Sequence, residues 1–144
     1  MADRRTLWEI AGGRGPILAM TTIFLEGARE DPVLGPLFRH VPDGHARYLA
    51  DWFGVIFGGP SDYVRDRGGL PFVVWAHADM RITDGQRARW VSLMRDAAAA
   101  AELPEDFLPI FDRYVSTISG YVQSNSHLDR DRLETMLGPD PTDG

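Results

Sequence analysis

The chain has 144 residues, a formal net charge of −6, 44% apolar and 25% charged residues. That is the size of one soluble domain, with room for a core and a ligand. No run of 18 apolar residues can span a membrane, there is no cysteine, and all 15 basic residues are Arg. Disulfides, Cys-ligated zinc, iron–sulfur clusters, thiolate-ligated haem, Schiff-base lysines and P-loop lysines are therefore excluded. Net acidity without a basic run argues against nucleic acid as a partner. The opening MADRRTLWEI lacks the apolar stretch of a secretory signal, so cytoplasm is the default expectation.

Glycine and proline punctuate the first half at Gly12-Gly13, Asp31-Pro32, Gly35-Pro36, Gly58-Gly59-Pro60 and Gly68-Gly69. Between these marks the apolar spacing has the period of a helix. The first stripe is Ile17, Thr21, Phe24, Leu25 and Ala28; the second is His45, Leu49, Trp52, Phe53 and Ile56. Asp43 after Pro42 reads as the cap of the second helix. Residues 58–72 carry Gly, Pro and charge without a period, an irregular loop of the kind that often holds function. FVVWAH follows, and with no partner strand nearby it reads as a short helix or turn ending at His77. Thr83-Asp-Gly-Gln86 reads as a capping box opening the third helix, with Trp90, Leu93, Met94, Ala97 and Ala101 on one face. Pro104, Glu105 and Asp106 suit the first turn of a fourth, whose stripe is Phe107, Phe111, Tyr114, Ile118, Tyr121 and Val122. Residues 128–137 suit a short terminal helix, leaving 138–144 as a disordered tail and 1–137 as the domain. The fold expected is all-α, with four longer helices, short turns and one irregular loop.

No GxSxG, HExxH, EF-hand or strand-linked GxGxxG pattern is present. The four histidines are the only side-chain nitrogens suited to a metal. His77 in an apolar context has two readings: a partly buried structural imidazole, or an axial ligand to haem iron. His45 leads an apolar stripe and either lines a pocket or marks the solvent edge of that stripe. His40 and His127 read as surface residues. The indole N–H of Trp90, if buried, needs an acceptor, and either packs as core or points at a ligand.

These residues resemble the truncated haemoglobins, and among them group II, from about Leu7 to about Ser124. The landmarks come in order: Gly12-Gly13; Phe24; Glu30-Asp31-Pro32-Val33-Leu34-Gly35-Pro36-Leu37-Phe38; Leu49-Ala50-Asp51-Trp52-Phe53 running into Gly58-Gly59-Pro60; Tyr63; Gly68; His77 followed by Arg81-Ile82; and Trp90 with Met94. The resemblance implies a two-over-two helical sandwich around haem b (iron protoporphyrin IX). It places His77 as the proximal iron ligand, Trp90 facing bound ligand, Phe38 packed on the haem, and His45 and Leu49 at the distal positions. Leu25 stands where most members carry a Tyr that bonds oxygen. Ala76 stands where many carry an Arg for a propionate, and Tyr48 where a basic residue is expected. The main donor to a ligand is then Trp90, with His45 second or itself able to ligate iron. A donor in a dry pocket stabilises a ligand that gains negative character by about 1–3 kcal/mol, roughly 5- to 150-fold in dissociation. The implied partners are oxygen, nitric oxide or carbon monoxide, and an unidentified reductase if the protein turns over as a nitric oxide dioxygenase or peroxidase-like catalyst; a homodimer is left open. The competing readings are a gas sensor or store without turnover, and a haem-free globin-like interaction module.

Overall fold

The structure is a computed structural model that describes residues 5–60 and 70–140, the first three of the second span by backbone alone. The expected loop at 58–72 falls mostly outside the described residues. So do Tyr63, Gly68, Gly69 and the last four residues of the expected tail.

The described residues form eight helices and no strand. In chain order they are α1 (Leu7–Ala11), α2 (Arg14–Glu30), α3 (Gly35–Phe38), α4 (His45–Ile56), α5 (Leu70–Ala76), α6 (Asp84–Ala100), α7 (Leu108–Ser126) and α8 (Arg130–Leu137). The four long helices are those that the apolar stripes predict. α2 packs on both α4 and α6, and α6 packs on α7, so two helix pairs are joined through α2. The stripe of α2 is fully inside: Ile17, Thr21, Phe24, Leu25 and Ala28 are all buried. Thr21 turns its hydroxyl to the Ala46 carbonyl at 2.8 Å, satisfying a buried polar group while tying α2 to α4. Phe53, Phe57, Phe107 and Phe111 close the core at the far end, with ring centroids 4.9–5.8 Å apart.

Capping explains where most helices begin. The Thr83–Gln86 box forms as expected, with Gln86 N donating to the Thr83 hydroxyl at 3.0 Å and Thr83 N donating to Gln86 Oε1 at 2.9 Å. A second box, Thr6–Glu9, starts α1. Asp129 caps α8 by accepting from Arg132 N at 2.7 Å. Gly12 and Gly13 lie at φ 95° and 87°, where a side chain is strained, and so let α1 fold back against α2.

Two expected starts differ. Asp43 does not cap α4: its carboxylate takes Arg29 Nη1 at 2.7 Å, and the helix enters through a turn in which His45 N bonds the Pro42 carbonyl. α7 begins at Leu108, because Pro104–Phe107 form a separate turn closed by Phe107 N to the Pro104 carbonyl. Tyr114 and Tyr121, read as part of the α7 stripe, are exposed. Among the described residues, no helix is long and apolar enough to cross a membrane.

Candidate functional site

α3 to α7 enclose a cavity of about 400 Å³. One wall is Leu37, Phe38 and Val41 followed by His45, Tyr48, Leu49 and Trp52 of α4. The facing wall is Val73 and Ala76 of α5 and His77 just after it, with Met80 and Ile82 beyond. Gln86, Arg87 and Trp90 of α6 and Val115, Ile118, Ser119 and Val122 of α7 complete it. The volume lies in the range of small-molecule and cofactor sites, about 300–1,000 Å³. Phe38, His45, Tyr48, Leu49, His77 and Trp90 thus meet around one space. Leu25 does not line it; that side chain is buried on α2.

His77 follows the last residue of α5. Its Nδ1 lies 2.7 Å from the Val73 carbonyl one turn earlier. A carbonyl only accepts, so Nδ1 carries the hydrogen and Nε2 keeps a bare lone pair. Nε2 has no hydrogen-bond partner among the described residues. Burial holds the His77 pKa below the usual imidazole value, against the opposing effect of the Val73 bond, so the ring is neutral at pH 7. His45 is held low as well, first by burial, then by repulsion from His77 when that ring is protonated and from the Arg29 guanidinium. The cavity therefore holds two neutral imidazoles.

Phe24 braces the opposite side. Its ring stands edge-on to Phe38 at 5.5 Å and to Trp90 at 5.7 Å. Phe38 in turn meets His45 edge-on at 6.2 Å, and His45 meets Tyr48 at 6.4 Å. One buried side chain of α2 thus fixes the aromatic residues on α3 and α6. The capping box of α6 sets the register that puts Gln86, Arg87 and Trp90 on the cavity face.

Among the described residues, Arg87 is the only formally charged side chain in the lining. Its Nη2 donates to the Ser116 carbonyl at 2.7 Å and its Nε to the Ser119 hydroxyl at 3.2 Å. The guanidinium lies over Gly120, where a Cβ would come within 2.9 Å of Nη2. Sequence reasoning missed Arg87, Gln86, Trp52 and Ser119; Arg87 and Gln86 are the i−3 and i−4 neighbours of Trp90, which is the signal that could have found them. Ala76 and Tyr48 line the cavity as exposed residues, His40 and His127 are exposed, and neither His40 nor His127 lines it.

A bare metal ion is poorly served here: among the described residues, no three His, Asp or Glu side chains come together. One uncommitted imidazole nitrogen on the wall of an apolar cavity suits a flat, largely apolar group that brings its own metal and needs one axial nitrogen. The residues present fit that group.

The model of the bacterial-like globin family matches residues 6–116. Among solved structures, the chain is similar to the group II truncated haemoglobin of Bacillus anthracis, with 20% identity over 89% of this chain and 94% of that one and a TM-score of 0.75. It is similar to a thermostable haemoglobin of the actinobacterium Thermobifida fusca, with 28% identity over 82% and 96% and a TM-score of 0.72. A truncated oxygen-avid haemoglobin of Bacillus subtilis gives 21% identity, 82% and 98% coverage and a TM-score of 0.74. A search of curated protein sequences finds no significant match. With its helical order shared across these structures and its family model covering most of the sequence, the chain belongs to the bacterial-like globins and has the truncated-globin fold.

Proposed function

We propose that residues 1–137 form a haem-binding unit that takes oxygen or another diatomic ligand. The observation that carries this reading is the state of His77: neutral, its Nδ1 spent on Val73, its Nε2 without a hydrogen-bond partner among the described residues, at the cavity wall. The absence of cysteine means that the group is held without thioether links, as iron protoporphyrin IX is. A bound haem would supply an iron able to take a small diatomic ligand. The rest is done by this chain. His77 would provide the nitrogen that holds it; Phe38 and Leu49 would pack against it and keep water out, with Tyr48 exposed at the cavity wall. Trp90 offers its indole N–H to the ligand, and His45 offers a second polar atom. Leu25, buried on α2 outside the lining, adds no donor.

A second reading, turnover of a peroxidase-like kind, is favoured by His45. A neutral imidazole in a cavity can take a proton from a bound substrate. Nitric oxide dioxygenation needs less of the chain, since no acid or base is required, but it does require an external reductase.

Hemin titration of the purified protein tests the main reading. A Soret band saturating at one hemin per chain is expected. His77→Gly should lose or alter that band, and free imidazole should restore it. A colourless wild-type protein, or a His77→Gly spectrum identical to wild type, refutes it.

A further inference from the structure

Where α5 gets its rigidity is not obvious from the main core. At seven residues it is too short to hold its shape alone. Its buried side chains Val74 and Trp75, with Ala78 just beyond, do not join that core. They form a separate small cluster with Leu133 of α8, which is completely buried. The strand of chain leaving His77 is fixed from the same side. Asp79 N donates to the Leu128 carbonyl at 3.2 Å, Arg81 N to the Ser126 carbonyl at 3.0 Å, and Ile82 N to the Ser126 hydroxyl at 3.0 Å. Ser126 is itself buried and donates its hydroxyl hydrogen to the Gln123 carbonyl at 2.6 Å. Asp79 and Arg81 lie at φ 61° and 50°, a conformation that non-glycine residues hold only when neighbours impose it. The family model ends at residue 116, so Ser126 and Leu133 both lie beyond the part of the chain it matches.

We infer that Ser126 and Leu133 are positioning residues for the His77 imidazole: the end of α7 and α8 together form a brace that sets the angle and hydrogen bond of the proximal ring. This rests on the haem reading above. The brace acts through two joints. Leu133 backs Val74 and Trp75, neighbours of the Val73 carbonyl that holds Nδ1. Ser126 anchors the residues that follow His77. Loosening either joint lengthens the Nδ1–Val73 bond, makes the imidazole a poorer donor and widens its range of orientations.

The test compares wild type with Leu133→Ala, Leu133→Met and Ser126→Ala by three measurements: hemin stoichiometry, the iron–histidine stretching band of the ferrous protein by resonance Raman, and amide exchange without haem. Leu133→Ala should still take one hemin per chain. Its iron–histidine band should broaden and move to lower frequency, and amides of residues 73–82 should exchange about tenfold faster or more, with α2 and α4 unchanged. Leu133→Met should restore both signals. Ser126→Ala should shift the band with little change in melting temperature. A wild-type band in both Leu133→Ala and Ser126→Ala at normal hemin stoichiometry overturns the inference. So does faster exchange spread evenly over all helices, which would mark a general loss of stability. A wild-type protein with no Soret band sinks the haem reading itself, and this assignment with it.

Discussion

Replacing Trp90 with Phe removes a hydrogen-bond donor from the cavity wall. An aromatic ring is kept beside Phe24, whose centroid lies 5.7 Å from that of the indole, but the phenyl is the smaller ring. The indole N–H is lost. A hydrogen bond to an acceptor carrying charge contributes about 1.5–3 kcal/mol when both groups are dry. Trp90 is half-buried and the cavity is open enough to admit its ligand, which places the contribution in the lower part of that range. We take about 1.5–2 kcal/mol, which is roughly 10- to 30-fold in the dissociation rate at 1.4 kcal/mol per tenfold. Stopped-flow measurement of oxygen release from the ferrous protein reads this directly. Carbon monoxide, which develops less negative charge, serves as the control and should change less than oxygen. The haem-free protein should lose about 1 kcal/mol, roughly 2–4 °C in melting temperature, because the smaller ring packs less fully against the core. Oxygen release within twofold of wild type would refute the assignment of Trp90 as the main donor. Equal acceleration of oxygen and carbon monoxide would show that the ring's shape, and not its N–H, was at work.

Acid should weaken the haem-free protein through its two half-buried imidazoles. Both have folded pKa values below the unfolded value of about 6.5 because burial disfavours the charged ring. Between the folded and unfolded values the unfolded chain binds more protons, so stability is full above about pH 6.5 and falls as pH drops through the folded values. Urea midpoints measured from pH 7.5 to 5 should decline, and His45→Gln should flatten the slope; an unchanged slope in that variant refutes the contribution of His45. Asp31 acts lower on the scale. Burial raises its pKa, but the bond from Arg89 and the amides of Leu34 and Val33 outweigh that and keep it below the usual carboxylate range. Gly59→Ala should cost about 1–3 kcal/mol, because a Cβ there would come within 2.5 Å of the Trp8 ring. Gly27→Ala, with open space around it in α2, should instead gain about 0.5–1 kcal/mol; equal melting temperatures for the two variants would contradict this.

The long helices are legible in the sequence because each buries one stripe and each stripe repeats at the helical period. The capping box at Thr83 is legible for a different reason: it is a local exchange of two hydrogen bonds that needs no tertiary partner. Asp43 shows the limit of that logic. It has the right side chain for a cap, but Arg29 from the preceding helix claims its carboxylate, and nothing in the local sequence announces a partner 14 residues away. Tyr114 and Tyr121 show a second limit. An amphipathic rim residue satisfies the period without being inside. For the site, His77 and Trp90 stand out as functional types in apolar surroundings. Arg87 does not, because its place in the cavity depends on Ser116, Ser119 and a side-chain-free Gly120 on another helix. The short α1 also escapes the stripes: five residues are too few to establish a period.

The partner of His77 Nδ1 belongs to the same helix as the ring's own neighbours, so the tautomer is settled as soon as that last turn winds. With α7 and α8 holding that turn in place, no proton has to hop from one nitrogen to the other when a guest enters. On the haem reading, the electron pair that would make the new bond already exists at neutral pH, and among the described residues its formation would displace no hydrogen bond from the ring.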